Sequence, residues 1–127
     1  MTPKTDKTIE DFISKAVVYA NGLILKGDFG QRGWFQHKIG SIYFRSTSHY
    51  FKICPDGLTP TLDIATIDIK EKWQGKGAFT GLIKSLREST DKTLFVESTH
   101  NERLAAHLLK IGWTMDCPVN KNFFLKK

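Results

Sequence analysis

The 127-residue sequence predicts a single domain, spanning residues 1–127, of the α/β class, with a mixed sheet flanked by helices. Residues 62–97 have the pattern of a strand, a glycine-rich turn, a helix and a second strand. A helical crossover joins strands that run in the same direction, so this unit predicts a parallel pair. Residues 41–69 are rich in aromatic and β-branched residues separated by turn residues, which is typical of antiparallel strands. The two patterns together predict a mixed sheet.

The N-terminal third is predicted to contain one helix, which ends at Asn21-Gly22. Its apolar residues recur at helical spacing: Ile9, Phe12, Ile13, Ala16, Val17 and Ala20. Residues 23–39 are broken by three glycines and are predicted to be a loop with a short helix or strand at most. Strands are predicted at 42–45 and 50–54 around a turn at 46–49. A second turn at 55–57 leads to a third strand at 62–69.

The C-terminal half carries clearer patterns. A helix is predicted at 77–89 and a short buried strand at 93–97. A second helix at 101–111 is predicted to end at Gly112, because glycine commonly terminates helices. Final strands are predicted at 113–115 and 122–125.

Composition limits the classes of function. The net charge of +6 favours anionic partners such as nucleic acid, an acidic protein or a polyphosphate cofactor. No apolar run approaches the roughly 20 residues that span a bilayer, and residues 1–7 lack the apolar core of a signal peptide. We therefore expect a cytoplasmic protein without a membrane partner. Cys54 and Cys117 are expected to be reduced thiols, and no metal site is predicted.

The most informative segment is the glycine turn Gln74-Gly75-Lys76-Gly77, which follows a predicted strand and opens a predicted helix. Exposed backbone N–H groups and the helix dipole make such a turn suitable for binding phosphate. The spacing does not fit a P-loop or a dinucleotide-binding fingerprint. Short glycine turns before helices are common, so this turn alone is a weak signal.

The surrounding residues make the signal more specific. Residues 67–79 resemble the acyl-CoA-binding motif Gln/Arg-x-x-Gly-x-Gly/Ala of the GNAT superfamily of N-acetyltransferases, matching at Gln74 and Gly77 and departing at Phe79. Residues 101–104 and 109–113 resemble the later Asn-x-x-Ala and Lys-Leu-Gly-Phe segment of that family. The two motifs lie within residues 62–113, about 40% of the chain. The resemblance implies a GNAT-like acyl-CoA N-acyltransferase fold that is N-terminally reduced, since a helix stands where the family has its first strand.

The resemblance also implies a function and a cofactor site. The expected reaction moves an acetyl group from acetyl-CoA to an amine by direct attack. Backbone N–H groups of residues 75–79 would take the diphosphate of coenzyme A, and two strand residues would pair with the pantetheine arm. The implied cofactor-binding residues are Ile67, Ile69, Gln74, Gly75, Lys76, Gly77, Ala78, Phe79 and Asn101. For Asn101, a role as helix N-cap is an equally good interpretation.

Glu97 and Asp63 are the candidate catalytic residues, because a carboxylate can accept the proton of the attacking amine. Asp68 lies on the same predicted strand as Asp63 but at opposite parity. Only one of the two can therefore face the cleft unless a β-bulge intervenes. The alternative for each carboxylate is a surface ion pair with a lysine.

The general acid is less well defined. Many family members place a tyrosine on the last helix, and the corresponding residue here is Leu108. His107 is its neighbour but points about 100° away around the helix. His100, Tyr43 and Tyr50 are further candidates, or the thiolate leaves unassisted, or the chain does not catalyse.

Two hypotheses other than an N-acetyltransferase are compatible with the sequence. The chain can be a GNAT-like binding module that has lost its chemistry and uses its basic surface on nucleic acid or protein. It can also acylate a nucleobase amine, with Trp34, Tyr43 and Tyr50 available for stacking. The amine acceptor is of unknown class; Trp34, Phe35 and His37 either contact it or pack over the sheet. A monomer and a homodimer are both compatible with the sequence.

Overall fold

The computed structural model describes residues 7–27, 30–51, 54–97, 102–117 and 122–125. Within these ranges the chain forms three α-helices, six strands and one short 3-10 helix at Glu71–Trp73. The α-helices and strands are α1 (Lys7–Lys26), β1 (Gln31–Gln36), β2 (Gly40–Phe51), β3 (Cys54–Ile69), α2 (Ala78–Ser89), β4 (Thr93–Val96), α3 (Glu102–Lys110), β5 (Thr114–Cys117) and β6 (Asn122–Leu125).

The six strands form one mixed sheet in the order β1-β2-β3-β4-β6-β5. β3 and β4 are parallel and joined by α2, while every other neighbouring pair is antiparallel. The prediction of an α/β fold with a mixed sheet is therefore confirmed. The predicted parallel pair is also confirmed, because the crossover through α2 returns the chain in the direction of β3.

Aromatic contacts place α1 on one face of the sheet. The ring of Phe12 lies 5.8 Å from that of Phe35, and the ring of Tyr19 lies 6.2 Å from that of Phe44. Buried residues of all three helices belong to one hydrophobic cluster with the strand residues below them. Side chains alternate along a strand, so Tyr43 and Arg45 face away from α1.

The predicted end of the first helix at Asn21-Gly22 is wrong. α1 continues through Gly22 to Lys26, because Leu23 is buried and Ile24 packs against the core. Burying two large apolar side chains outweighs the roughly 1 kcal/mol that a helical glycine costs. Residues 31–36 form strand β1, within the segment that was predicted to be a loop with at most a short helix or strand. Gly33 of this strand lies beneath Tyr19, whose hydroxyl a Cβ at position 33 would overlap.

The two predicted turns before residue 62 are also wrong. β2 runs unbroken through residues 46–49, and β3 begins at Cys54 and runs through residues 55–57. The two strands pair along this length, with Ser46 opposite Leu62 and Phe51 opposite Cys54. Continuous pairing with a neighbouring strand outweighs the local turn preference of these polar residues.

The predictions from residue 77 onwards are confirmed to within a few residues. α2, β4, α3, β5 and β6 occupy the expected segments. Gly112 ends α3 with a φ of 98°, in the left-handed region that glycine favours. In the described ranges, none of the helices combines the length and the hydropathy needed to cross a bilayer.

His37 joins α1 to the sheet. Its Nε2 atom lies 2.9 Å from Oδ2 of Asp11, and the backbone N–H of Ile39 donates to its Nδ1 atom at 3.2 Å. Because Nδ1 accepts a hydrogen bond, Nε2 carries the proton that is donated to Asp11. The hydrogen bond from His37, followed by that from Lys15, lowers the pKa of Asp11 below its ordinary value of 3.8.

This contact predicts that part of the free energy of unfolding depends on pH. A carboxylate whose pKa is lowered by folding stabilises the folded state above its unfolded pKa of about 3.9, and that stabilisation disappears as the pH falls through the folded value. The Asp11→Asn variant should therefore be less stable than the wild type at pH 6, and the difference should shrink by pH 3. Urea unfolding of both proteins at the two pH values measures this difference in stability. An equal difference at pH 6 and pH 3 would contradict the stabilising role of the Asp11 carboxylate.

Candidate functional site

A gap opens between β3 and β4 after a short parallel ladder. The ladder begins at Thr61 opposite Thr93 and ends at Ile64 opposite Val96, where the N–H of Glu97 still donates to the carbonyl of Ile64. β3 continues beyond this point to Ile69 with β2 on one side. On its other side, no strand from the described part of the chain pairs with it. Residues 65–69 therefore form an open edge in the middle of the sheet.

A β-bulge at Ala65 changes the faces of β3 at the start of the gap. Tyr43 of β2 is opposite Thr66 while Phe44 is opposite Ile64, so Ala65 is the extra residue. As a result Ile64 and Ile67 both face the core. Asp63 and Asp68 then share the opposite face. The parity argument that separated these two carboxylates does not hold, because the bulge intervenes.

The backbone of the open edge points into the gap. The N–H of Lys70 donates at 2.8 Å to the carbonyl of Ile39, the residue that precedes β2. Antiparallel pairs alternate between bonded and non-bonded positions, so the polar groups of Ile69 and Ile67 face away from β2. The side-chain amide of Gln74 donates to the carbonyl of Ile69 at 2.8 Å and fixes the loop to the end of the strand.

The glycine turn leads directly into the N-terminus of α2. Gly75 and Gly77 have φ angles of 73° and 84°, which other residues rarely adopt. Gly77 is the N-cap of α2, no described side chain caps the helix, and its first turn contains no acidic residue. The first N–H groups of a helix have no intrahelical partners and carry the positive end of its dipole. A Cβ at either glycine would meet no atom of the described residues within 4 Å, so these residues leave the space before the turn open.

The open edge and the helix N-terminus line one cleft with a volume of about 460 Å³. Its lining residues are Ile67, Asp68, Ile69, Trp73, Gln74, Gly75, Gly77, Ala78, Phe79, Thr80 and His107. Seven of the nine residues expected from the sequence to bind the cofactor are in this set. Lys76 is exposed and does not line the cleft, and Asn101 lies outside the described residues.

Four lining residues were not among the expected cofactor-binding or catalytic residues. They are Asp68, Trp73, Thr80 and His107. His107 reaches from α3 to the first turn of α2, where its Nε2 atom is 3.3 Å from the Thr80 hydroxyl. Leu108, which aligns with the tyrosine of the family, is completely buried in the core. The sequence shows that Thr80 follows Gly77 by three residues. It does not show that α3 brings His107 next to Thr80.

The two candidate catalytic carboxylates meet at the start of the gap. Asp63 is opposite Arg45 on β2, and Oδ2 of Asp63 is 3.2 Å from Nη2 of Arg45. The same guanidinium nitrogen donates to Oε2 of Glu97. Asp63 is fully buried and also accepts a hydrogen bond from Thr61, whereas the side chain of Glu97 is 34% exposed. Of the two, Glu97 is the carboxylate that solvent and a substrate can reach.

The aromatic residues considered for the acceptor lie in different places. Trp34 is 49% exposed and its ring lies 5.1 Å from that of Tyr43, on the same face as Arg45. Phe35 is buried against α1, and His37 is held by Asp11. The side chain of Tyr50 and all of His100 lie outside the described residues.

Comparison with known proteins gives likeness of fold but not of sequence. No protein-family model matches the chain, and no curated protein matches it. Two solved structures are similar, each with 18% sequence identity and a TM-score of 0.50. One is a mutant AtaT toxin bound to the C-terminus of the antitoxin AtaR, and it covers 68% of this chain. The other is a KacTA–DNA complex, which covers 84%.

The chain spans 57% of the length of the AtaT chain and 79% of the KacTA chain. Both neighbours have the GNAT fold. The mixed sheet and the glycine turn that opens α2 agree with the fold that the motif resemblance implied. The chain therefore adopts the fold of the GNAT superfamily.

Proposed function

We propose that this protein is an acyl-CoA-dependent N-acyltransferase that moves an acetyl group from acetyl-CoA to an amine. The observation that carries the proposal is the cleft that joins the open edge of β3 to the N-terminus of α2, which no described side chain caps. The GNAT fold of the two structural neighbours supports it. The proposal covers one cytoplasmic domain, acting as a monomer or a homodimer, with an amine acceptor of unassigned class.

The residues of the cleft fit the two chemically different parts of coenzyme A. The free N–H groups at Gly77 and the start of α2 suit an anionic diphosphate. The outward N–H and C=O groups of Ile67 and Ile69 suit the amide-containing pantetheine arm, which can pair with a strand edge. Lys76 would raise the local positive potential without entering the cleft. Asn101 is included from the motif resemblance.

Acetyl-CoA would supply the activated acyl group, and the chain would supply the proton acceptor. In our proposal Glu97 accepts the proton of the amine, because it is the accessible carboxylate at the start of the gap. Arg45 holds Glu97 in place, and the buried Asp63 holds Arg45. Asp63 thus contributes as a positioning residue. The N–H of Ile69 would donate to the acyl oxygen as negative charge develops on it.

The proposal predicts acetyl transfer that depends on Glu97. Calorimetric titration should show binding of coenzyme A, and thiol release should be seen with one class of amine among peptides, polyamines and nucleobases. In Glu97→Gln we expect a loss of kcat of about 100-fold or more with unchanged affinity for coenzyme A. Glu88→Gln, at an exposed position of α2, is the control and should keep full activity. Absence of coenzyme A binding, or full activity in Glu97→Gln, would contradict the proposal.

A second candidate is a binding module for nucleic acid that has no catalytic activity. Two observations favour it. Both candidate carboxylates are engaged by Arg45, and the exposed Trp34, with its ring near that of the half-buried Tyr43, lies on the same face as the exposed Arg32, away from the helices. Bases stack on such aromatic pairs. DNA or RNA binding with a steep salt dependence, together with no thermal stabilisation by acetyl-CoA, would favour this candidate.

A further inference from the structure

His107 occupies a position in the cleft that its helix alone does not explain. α3 buries Ala105 and Leu108 in the core, and His107 lies between these positions in sequence but turns towards α2. Its Nε2 atom is within reach of the Thr80 hydroxyl at 3.3 Å. Thr80 belongs to the first turn of α2, where the backbone N–H groups lack intrahelical partners. The imidazole therefore stands beside the strongest anion-attracting part of the cleft.

Few ionisable side chains of the described residues lie around His107. Among the described residues that line the cleft, the ionisable side chains are those of Asp68 and His107, and neither lysine nor arginine is present. The first turn of α2 contributes no acid. Lys72 and Lys76 of the loop are exposed, and Lys110 on α3 is also exposed and lies three residues further along the helix. The side chains of 102–104 lie outside the described residues.

We propose that protonated His107 binds the diphosphate of acyl-CoA, an inference that rests on the acyltransferase function proposed above. An imidazolium beside the helix N-terminus would donate a charge-assisted hydrogen bond to a diphosphate oxygen. The Thr80 hydroxyl can rotate to donate to the same anion. In this site the side-chain cation is His107, whereas Lys76 does not line the cleft.

The contact distinguishes this role from that of an acid for the departing thiolate. Thr80, the side-chain partner of His107, lies at the helix N-terminus, whereas Glu97 and the start of the gap mark the proposed site of acyl transfer. Proton uptake on binding makes affinity depend on pH. Only the protonated imidazole carries the charge, so a ligand that needs this form of His107 binds more tightly at pH 6 than at pH 8.

The test is calorimetric titration with dephospho-CoA at pH 6.0 and pH 8.0. This ligand keeps the diphosphate but lacks the 3′-phosphate, which itself titrates in this range. The wild type should bind about tenfold more tightly at pH 6.0. His107→Gln should bind weakly and equally at both values, and His107→Arg should bind tightly at both. Lys110→Gln removes a positive charge on the exposed side of α3 and should keep the wild-type ratio of affinities at the two pH values.

The outcomes separate this inference from the function on which it rests. If the wild type binds neither coenzyme A nor dephospho-CoA at any pH, the proposed function fails. If it binds with the same affinity at both pH values, or if His107→Gln keeps the tenfold ratio, only the role of His107 is overturned. A His107→Gln variant with normal affinity and reduced kcat would likewise overturn it, in favour of proton transfer to the thiolate.

Discussion

Replacing Thr80 with glutamate should abolish binding of coenzyme A while leaving the fold intact. Thr80 is exposed and is the third residue of α2 after the N-cap Gly77. Glutamate is favoured at this position of a helix, where its charge complements the dipole, so the folded state should be as stable or slightly more stable. The same carboxylate would stand where we place the diphosphate and would pair with His107. We expect affinity to fall at least about 100-fold, or about 2.7 kcal/mol.

Thr80→Gln is the matched control for this prediction. Glutamine has nearly the size of glutamate and is also accepted at the third helical position, but it carries no charge. Its affinity for coenzyme A should fall by less than about tenfold, or 1.4 kcal/mol. Calorimetry gives the affinities, and thermal unfolding without ligand verifies that both variants fold. Equal affinities in the two variants would place the diphosphate elsewhere and would remove the main support for the proposed function.

The part of the site that the sequence predicted is continuous in the chain. Gln74, Gly75 and Gly77 form a local unit whose conformation depends on glycine torsion angles and on the helix that follows. Such local features are encoded by neighbouring residues, which is why the residues that the motif resemblance named here line one cleft. The same reason explains the accurate helix and strand predictions after residue 77.

The part that the sequence did not predict depends on pairing between distant segments. No residue pattern predicts the bulge at Ala65 of β3. This bulge places Asp68 on the same face of the sheet as Asp63. Arg45 was not considered, because its contact with Asp63 and Glu97 follows from the register of three strands. Burial likewise carried α1 past Gly22, against the local signal for a helix end. Register and burial are properties of the folded chain, and one sequence without relatives does not reveal them.

Replacing Arg45 with leucine should destabilise the protein more than any other single change to this cluster. The Asp63 carboxylate is fully buried and would lose its cationic partner, because Arg45 is 3.2 Å away across the β2–β3 ladder. Removing one member of a buried ion pair leaves a charge in a poorly solvating environment and costs about 3 kcal/mol. Urea unfolding should show this loss as a lower midpoint with an unchanged slope. The lost ion pair with Glu97, which is partly exposed, should contribute little to this loss of stability.

Two further variants identify buried charge as the cause. Arg32 is opposite Arg45 on β1 and exposed on the same face, so Arg32→Leu should change stability by less than about 0.5 kcal/mol. The double variant Arg45→Leu/Asp63→Asn removes the buried charge together with its partner, and should recover most of the stability lost in Arg45→Leu. If the recovered double variant still lacks acetyl transfer, Arg45 is needed to position Glu97 as well as to neutralise Asp63. If the double variant is no more stable than Arg45→Leu, Arg45 stabilises the sheet through the packing of its aliphatic stem and not by neutralising the charge of Asp63.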